Sequence, residues 1–273
     1  MKIFSRILVL ALGLFLTACT EVIDVDLDTA SPKLVIDASI DWIKNTPGNE
    51  QKIKLSTTTG YYSSEFPTVS GATVFITNSA NTVFNFFETG GVGEYICTDF
   101  VPVIGETYLL TVVLNGETYT ATETLIEVPV IESTITQNDA GGFGGDQTEI
   151  RFSYQDNGAQ ENYYMTGIKT VHVAFPEYSL ESDEFYQGNQ IVEFYFNEDL
   201  EQGDLVNIKL YGVSKRFYEY FNKILLATGN DGNPFQATPT AVKGNIVNQT
   251  NVKNYALGFF RLSEVDSRDY TIQ

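Results

Sequence analysis

Between Ile23 and Asp28 the chain alternates without a break. Ile23, Val25 and Leu27 fall on one side of an extended backbone, and Asp24, Asp26 and Asp28 fall on the other. A period of two is the pattern of a strand with one buried face. Similar runs return at Leu34–Asp41, Lys52–Thr58, Thr73–Thr77, Thr82–Thr89, Gly93–Asp99, Tyr108–Leu114 and Thr118–Leu125. Asn115-Gly116 joins the last two, and Asn-Gly between alternating runs is a strong hairpin signal. Short strands with frequent turns over about a hundred residues predict an immunoglobulin-like β-sandwich. We assign it to residues 19–128, with Pro129 at its boundary.

Residues 129–273 keep the extended pattern in longer runs: Ile131–Thr136, Glu149–Tyr154, Tyr163–Phe175, Ile191–Phe196, Leu205–Val213 and Ala256–Leu262. They predict a second antiparallel β domain. One helix interrupts it, at about 214–228. Ser214 can cap its start, Phe217, Phe221, Ile224 and Leu225 share one face, and Gly229 supplies a stop. Gly141 to Gly145 reads as a flexible glycine-rich loop. The chain is thus expected to be mainly β.

The first 18 residues read as a signal peptide. Lys2 and Arg6 precede an apolar stretch from Ile7 to Leu16, too short for the roughly 20 residues that span a bilayer. Leu16-Thr17-Ala18-Cys19 then resembles the lipobox of bacterial lipoproteins, which implies cleavage before Cys19 and its acylation. The alternative is an ordinary secretory signal that happens to contain a cysteine. Several acyl chains on Cys19 give a stable anchor, at about 0.8 kcal/mol per buried CH2. Thr20 follows the cysteine, where an aspartate resembles an inner-membrane retention signal, so the outer membrane is favoured. Glu21, Asp24 and Asp26 resemble the acidic export tag of surface lipoproteins, which implies a cell-surface location.

Charge narrows the partners. With 16 Lys and Arg against 35 Asp and Glu, the formal net charge is −19. Such a surface repels phosphate backbones, so nucleic acid is not expected as a partner. One histidine and two cysteines leave no His-rich or Cys-rich metal site, and no cofactor is implied. The defining residues of phosphate loops, zincins and serine hydrolases are missing from the sequence. His172 is expected on a strand face rather than as a ligand or proton shuttle. Acylation of Cys19 would leave Cys97 as the sole thiol, and Cys97 is expected to pack as a small apolar residue.

Carboxylates cluster at Glu177, Glu181, Asp183, Glu184, Glu193, Glu198, Asp199, Glu201 and Asp204. A glycosidase needs two such groups about 5–9.5 Å apart. A solvated acidic rim accounts for the cluster as well, and we favour it. Asp24, Asp26 and Asp28 are candidate calcium ligands, as are Asn230, Asp231 and Asn233. Neither set matches the twelve-residue EF-hand loop.

Two loops carry more than turn chemistry requires. Gly60 to Pro67 holds Tyr61 and Tyr62 outside any periodic run, and Gly229 to Phe235 holds Asn230, Asp231 and Asn233. Tyrosine offers large contact area with two torsions to freeze. These five residues are the sequence candidates for ligand or partner binding. The competing reading has Phe66 and Phe235 plugging the core while their neighbours only build turns.

Several segments together resemble a Bacteroidetes outer-membrane lipoprotein family, domain of unknown function 4249. They are Glu21 to Asp28, Phe66 to Val74, Gly105 to Tyr108 running into Tyr119 to Thr122, Glu161 to Tyr164, Gly203 to Val206 with Val213 to Phe221, Gly232 to Phe235, and Ala256 to Phe260. Their order and spacing match along nearly the whole chain after Cys19. The resemblance transfers no catalytic residue. It implies a context beside TonB-dependent outer-membrane β-barrel transporters. The expectation is a non-enzymatic, lipid-anchored accessory or ligand-capturing partner of such a transporter. The alternatives are a surface adhesion or scaffold module, or a carbohydrate-active enzyme using two of the clustered carboxylates.

Overall fold

The alternating runs become fifteen strands in a computed structural model that describes residues 31–60, 63, 65–89, 91–142, 144–228 and 242–273. Seven come from the first half: β1 (Leu34–Ile43), β2 (Gln51–Thr57), β3 (Thr73–Asn78), β4 (Val83–Glu88), β5 (Glu94–Cys97), β6 (Thr107–Leu114) and β7 (Glu117–Thr124). Six follow before the helix: β8 (Thr136–Gly141), β9 (Gln147–Gln155), β10 (Tyr163–Lys169), β11 (Glu177–Ser182), β12 (Gln190–Asn197) and β13 (Leu205–Val213). The helix α1 (Lys215–Ala227) precedes β14 (Val247–Asn248) and the long β15 (Leu257–Thr271). Among the described residues the protein is mainly β with one α-helix, as the alternation predicts.

Twelve strands form one mixed sheet in the order β11-β10-β13-β15-β1-β2-β5-β4-β3-β6-β7-β14. The other three form an antiparallel sheet, β12-β9-β8. β15 runs parallel to β1, with Ser39 opposite Arg261, and antiparallel to β13. Near the Asn115-Gly116 turn, β6 and β7 pair from Thr107 to Leu114, and both turn residues have positive φ, 51° and 78°. That is the twist a two-residue hairpin needs.

Period two sorts the side chains into cores. Ile36, Ala38 and Ile40 of β1 join Ile53, Val74, Tyr95, Leu110 and others in the first. Ile246, Ala256, Phe260 and Leu262, from the far end of the sequence, complete it. A second core lies between the small sheet and β10-β13, with Phe152, Tyr154, Tyr164, Ile191, Tyr195 and Ile208. On β13, Val206, Ile208 and Leu210 enter this core, while Tyr211 and Val213 belong to a third cluster with the helix residue Phe217. Phe217 of α1 stacks on Phe221 and meets Phe259 edge-on. Ser214 caps the helix as expected, its side chain accepting from the Phe217 amide. Full burial of an aromatic such as Phe217 contributes about 1.5–3 kcal/mol.

Three local readings need correction. The run expected from Tyr163 to Phe175 is a strand only to Lys169, where its pairing with β13 stops opposite Asn207, one residue after its pairing with β11 stops at Ile168. The chain turns through 170–176 and returns as β11. Ile131 makes a single bridge to Tyr154, and the strand there is β8, five residues later. Gly141, expected in a loop, ends β8 opposite Gln147.

Candidate ligand-binding site

β11 is one edge strand of the large sheet and β12 one edge strand of the small sheet. A cleft of about 540 Å3 opens between them and α1, lined by Glu177, Ser179, Glu193, Phe194, Phe196 and Tyr218 among others. Alternation on β12 builds two of its features. Ile191, Glu193 and Tyr195 turn inward, while Val192, Phe194 and Phe196 remain exposed. The Phe194 and Phe196 rings are nearly parallel, 6.3 Å apart, and the Arg151 guanidinium lies over Phe194.

The carboxylates of the cleft are held by hydroxyl groups. Tyr154 and Thr166 donate to Oε1 of Glu193 at 2.9 and 2.8 Å, and Ser179 reaches Oε2 at 3.4 Å. Tyr195 donates to Glu177 at 2.7 Å, tying the two edge strands together. Burial pushes the Glu193 carboxyl above its ordinary range, against the pull of Thr166 and Tyr154, and nearby Glu181 pushes it the same way. Glu181 is itself raised by burial. Burial and the Glu177 contact push the Tyr195 phenol up to about 12.

The ion pairs among the described residues use other carboxylates. Glu177 and Glu193 therefore line the cleft without a cationic partner among those residues. Such a site accepts hydrogen bonds from a ligand that brings hydroxyl or N–H donors, beside an exposed aromatic surface.

Other acidic residues of the cluster do different work. Asp183 is buried and accepts from the Asn162 amide at 2.8 Å. Glu184, Glu198, Asp199 and Glu201 are exposed, as a solvated rim requires. Asp204 pairs with His172 at 2.6 Å. The expectation of a strand-borne His172 is thereby corrected: it sits in the turn after β10, and its ring is engaged by Asp204. Cys97 is 1% exposed within the first core, and burial raises its thiol to about 11. It packs there as expected.

Cys19, Asp24, Asp26, Asp28, Tyr61, Tyr62, Asn230, Asp231 and Asn233 lie outside the described residues. Phe66, the proposed core plug beside the first loop, is 72% exposed. It therefore does not plug the core. Among the described residues no group of three or more His, Cys, Asp or Glu could hold a metal ion, and no helix is long and apolar enough to cross a membrane. Arg261 escaped sequence reasoning, although a lone cation inside Phe259-Phe260-Arg261-Leu262 was a legible signal.

A family profile described as a domain of unknown function, DUF4249, matches residues 20–269. No curated protein matches the chain. Among solved structures, a two-domain fibronectin type III segment of chicken tenascin aligns at 11% identity and a TM-score of 0.22, over 67% of this chain and 91% of that one. The FN1–FN3 domains of chicken CNTN1 align at 16% identity and 0.23, over 67% and 60%. A DUF4785 family protein from Legionella pneumophila aligns at 8% identity and 0.27, over 66% and 52%.

Proposed function

The chain belongs to the DUF4249 family, and we propose that it is a non-enzymatic, lipid-anchored outer-membrane protein that captures a ligand for a TonB-dependent transporter. The cleft between β11, β12 and α1 carries the ligand-capturing part of this reading. It combines carboxylates that lack a cationic partner among the described residues with exposed aromatic rings, on two edge strands. The lipobox-like Leu16 to Cys19 supports the anchor, and the family resemblance supports the transporter.

Purification of the tagged full-length chain from membranes in mild detergent is the test. Co-purification of an outer-membrane β-barrel is expected. Recovery of the chain alone, under conditions that preserve known transporter complexes, overturns the partnership.

One observation favours the second reading, a carbohydrate-active enzyme. Burial raises the Glu193 carboxyl in a cleft that also holds Glu177, and a raised carboxyl beside a second carboxyl is what acid catalysis of glycoside cleavage uses. Turnover of glycans that is abolished in Glu193→Gln would establish it in place of simple capture.

A further inference from the structure

On the other flank of α1 a second pocket, of about 310 Å3, opens against β1 and β15. Its walls are aromatic: Tyr178, Phe217, Tyr220, Phe221 and Phe259 all line it. Its polar groups come from the outward register of two strands. Asp37 and Ser39 alternate with Ile36 and Ala38 on β1, and Arg261 stands opposite Ser39 on β15.

Arg261 is only 5% exposed, and its bonding is incomplete. One terminal nitrogen donates to Ser263 at 2.6 Å. The other lies 2.8 Å from Asp41 Oδ1, close enough for charge pairing but off the hydrogen-bonding direction. Nε–H has no acceptor among the described residues and is itself buried, so a ligand reaches it only by shifting the side chains around it. The guanidinium is flanked by the Tyr211 and Phe217 rings, at 5.1 and 5.2 Å. A buried charged donor left without a partner is costly, and a ligand atom that accepts from it recovers that loss.

Charge decides what kind of acceptor fits. Asp41 already balances Arg261, and Asp37 adds a further carboxylate to the wall. An anionic acceptor would meet a net negative surround, so the acceptor is uncharged. Asp37 in turn accepts from a donor; among the described residues its Oδ1 takes only the Ser39 hydroxyl, at 2.9 Å. The Tyr178 and Tyr220 hydroxyls have no partner among the described residues and add groups that both donate and accept. A ring with an apolar face and hydroxyls around its edge meets all of these demands at once. A peptide carbonyl beside an apolar side chain meets only the first.

We propose that the pocket between α1 and the β1–β15 pair binds a neutral sugar ring, its apolar face against the helix aromatics and a hydroxyl accepting from Arg261 Nε. This site is separate from the acidic cleft and stands whether or not the chain partners a transporter.

The test is calorimetric titration of the full-length chain in detergent with neutral monosaccharides and their disaccharides. The matching uronic acids and N-acetylphenylalaninamide serve as rival probes. Binding of at least one neutral sugar at about millimolar Kd or tighter is expected. Arg261→Lys keeps the charge facing Asp41 but loses the Nε donor, and should weaken binding about 10- to 100-fold, the range for a hydrogen bond to a charged group. Where Arg261→Lys lowers the melting temperature, Tyr220→Phe, which removes one hydroxyl and no apolar contact, provides the reading and should weaken binding several-fold. The proposal is overturned by any of three results. These are no neutral sugar binding at that level, a preference for uronic acids or the phenylalanine amide, or sugar affinity unchanged in both variants.

Discussion

A few side chains set how this protein answers to pH, and they pull in opposite directions. Burial raises Glu193, Glu181, Asp183 and Glu123 above their ordinary carboxyl range in the folded chain. Each then binds its proton more tightly folded than unfolded. The stability it contributes is complete below the ordinary value, 4.5 for a glutamate, and is lost as pH rises through the folded value. Glu88, Glu117 and Asp204 are held low instead, by the Gly93 amide, the Tyr119 hydroxyl and the Glu201 amide foremost. Their contribution is present above the ordinary value and disappears as pH falls through the folded one. Thermal melts across pH should therefore peak on the acid side of neutrality. Glu193→Gln should raise the melting temperature at about pH 7.5 by about 2–4 °C and flatten the decline above the peak. The amide fits because Tyr154 and Thr166 both donate to Oε1, which it keeps as an acceptor, while its NH2 meets the Ser179 oxygen. An unchanged profile would show that Glu193 is solvated in the folded protein. Cys97 yields a second expectation. In a Cys19→Ala background it should resist a thiol reagent while native and titrate as one thiol once urea unfolds the chain, since only the thiolate reacts.

Among the elements, two glycines with similar backbone angles should behave differently. Gly116, in the β6–β7 turn, has φ 78° and open space where a Cβ would stand. Gly116→Ala should cost about 1–2 kcal/mol, the strain of a left-handed residue alone. Gly258, at the start of β15, has φ 95°, and a Cβ there would lie 2.0 Å from the Ile36 carbonyl oxygen on β1. Gly258→Ala must push the parallel pair apart and should cost about 3 kcal/mol or more, read as the shift in urea midpoint. The turn glycine was legible because its signal is local: Asn, Gly and two flanking runs. Gly258 was not, because its crowding comes from a strand met only after folding. The same division governs the rest. β13, β1 and the capped helix were legible within their own periodicity. The end of β10 at Lys169 was not, since it depends on where its pairings with β11 and β13 stop. The acidic cluster was visible as a cluster, but sequence cannot tell Glu193, turned inward under three hydroxyls, from Glu198, left in solvent. The Arg261 pocket joins residues of β1, β10, β11, α1 and β15, so no single window of sequence contains it.

At the scale of the whole molecule, β15 is the strand that the rest depends on. It pairs with β1 on one side and β13 on the other, and it supplies side chains to both the first core and the helix cluster. A chain ending before Leu257 should give no cooperative melt, whereas one trimmed only at Gln273 should melt like the full protein. Anchoring belongs to this scale too. On the proposed lipid anchor, Cys19→Ala should release the protein from outer membranes at high salt, since acyl chains would then supply nearly all its membrane affinity. Retention of the variant in that fraction would point to another means of attachment. Lys44 and Glu264 stand 2.6 Å apart across this pairing, yet 220 residues of chain separate them. That separation becomes a matter of timing during synthesis. β1 leaves the ribosome some 220 residues ahead of the strand it must lie against. Until then Ile36, Ala38 and Ile40 have no β15 beside them, and one edge of their strand is open to any other extended segment. Contacts so distant in sequence also form slowly once both partners exist. The parallel pair at the centre of the large sheet is therefore completed only after some 220 further residues have been made, and until then that edge of β1 stays exposed to wrong pairings.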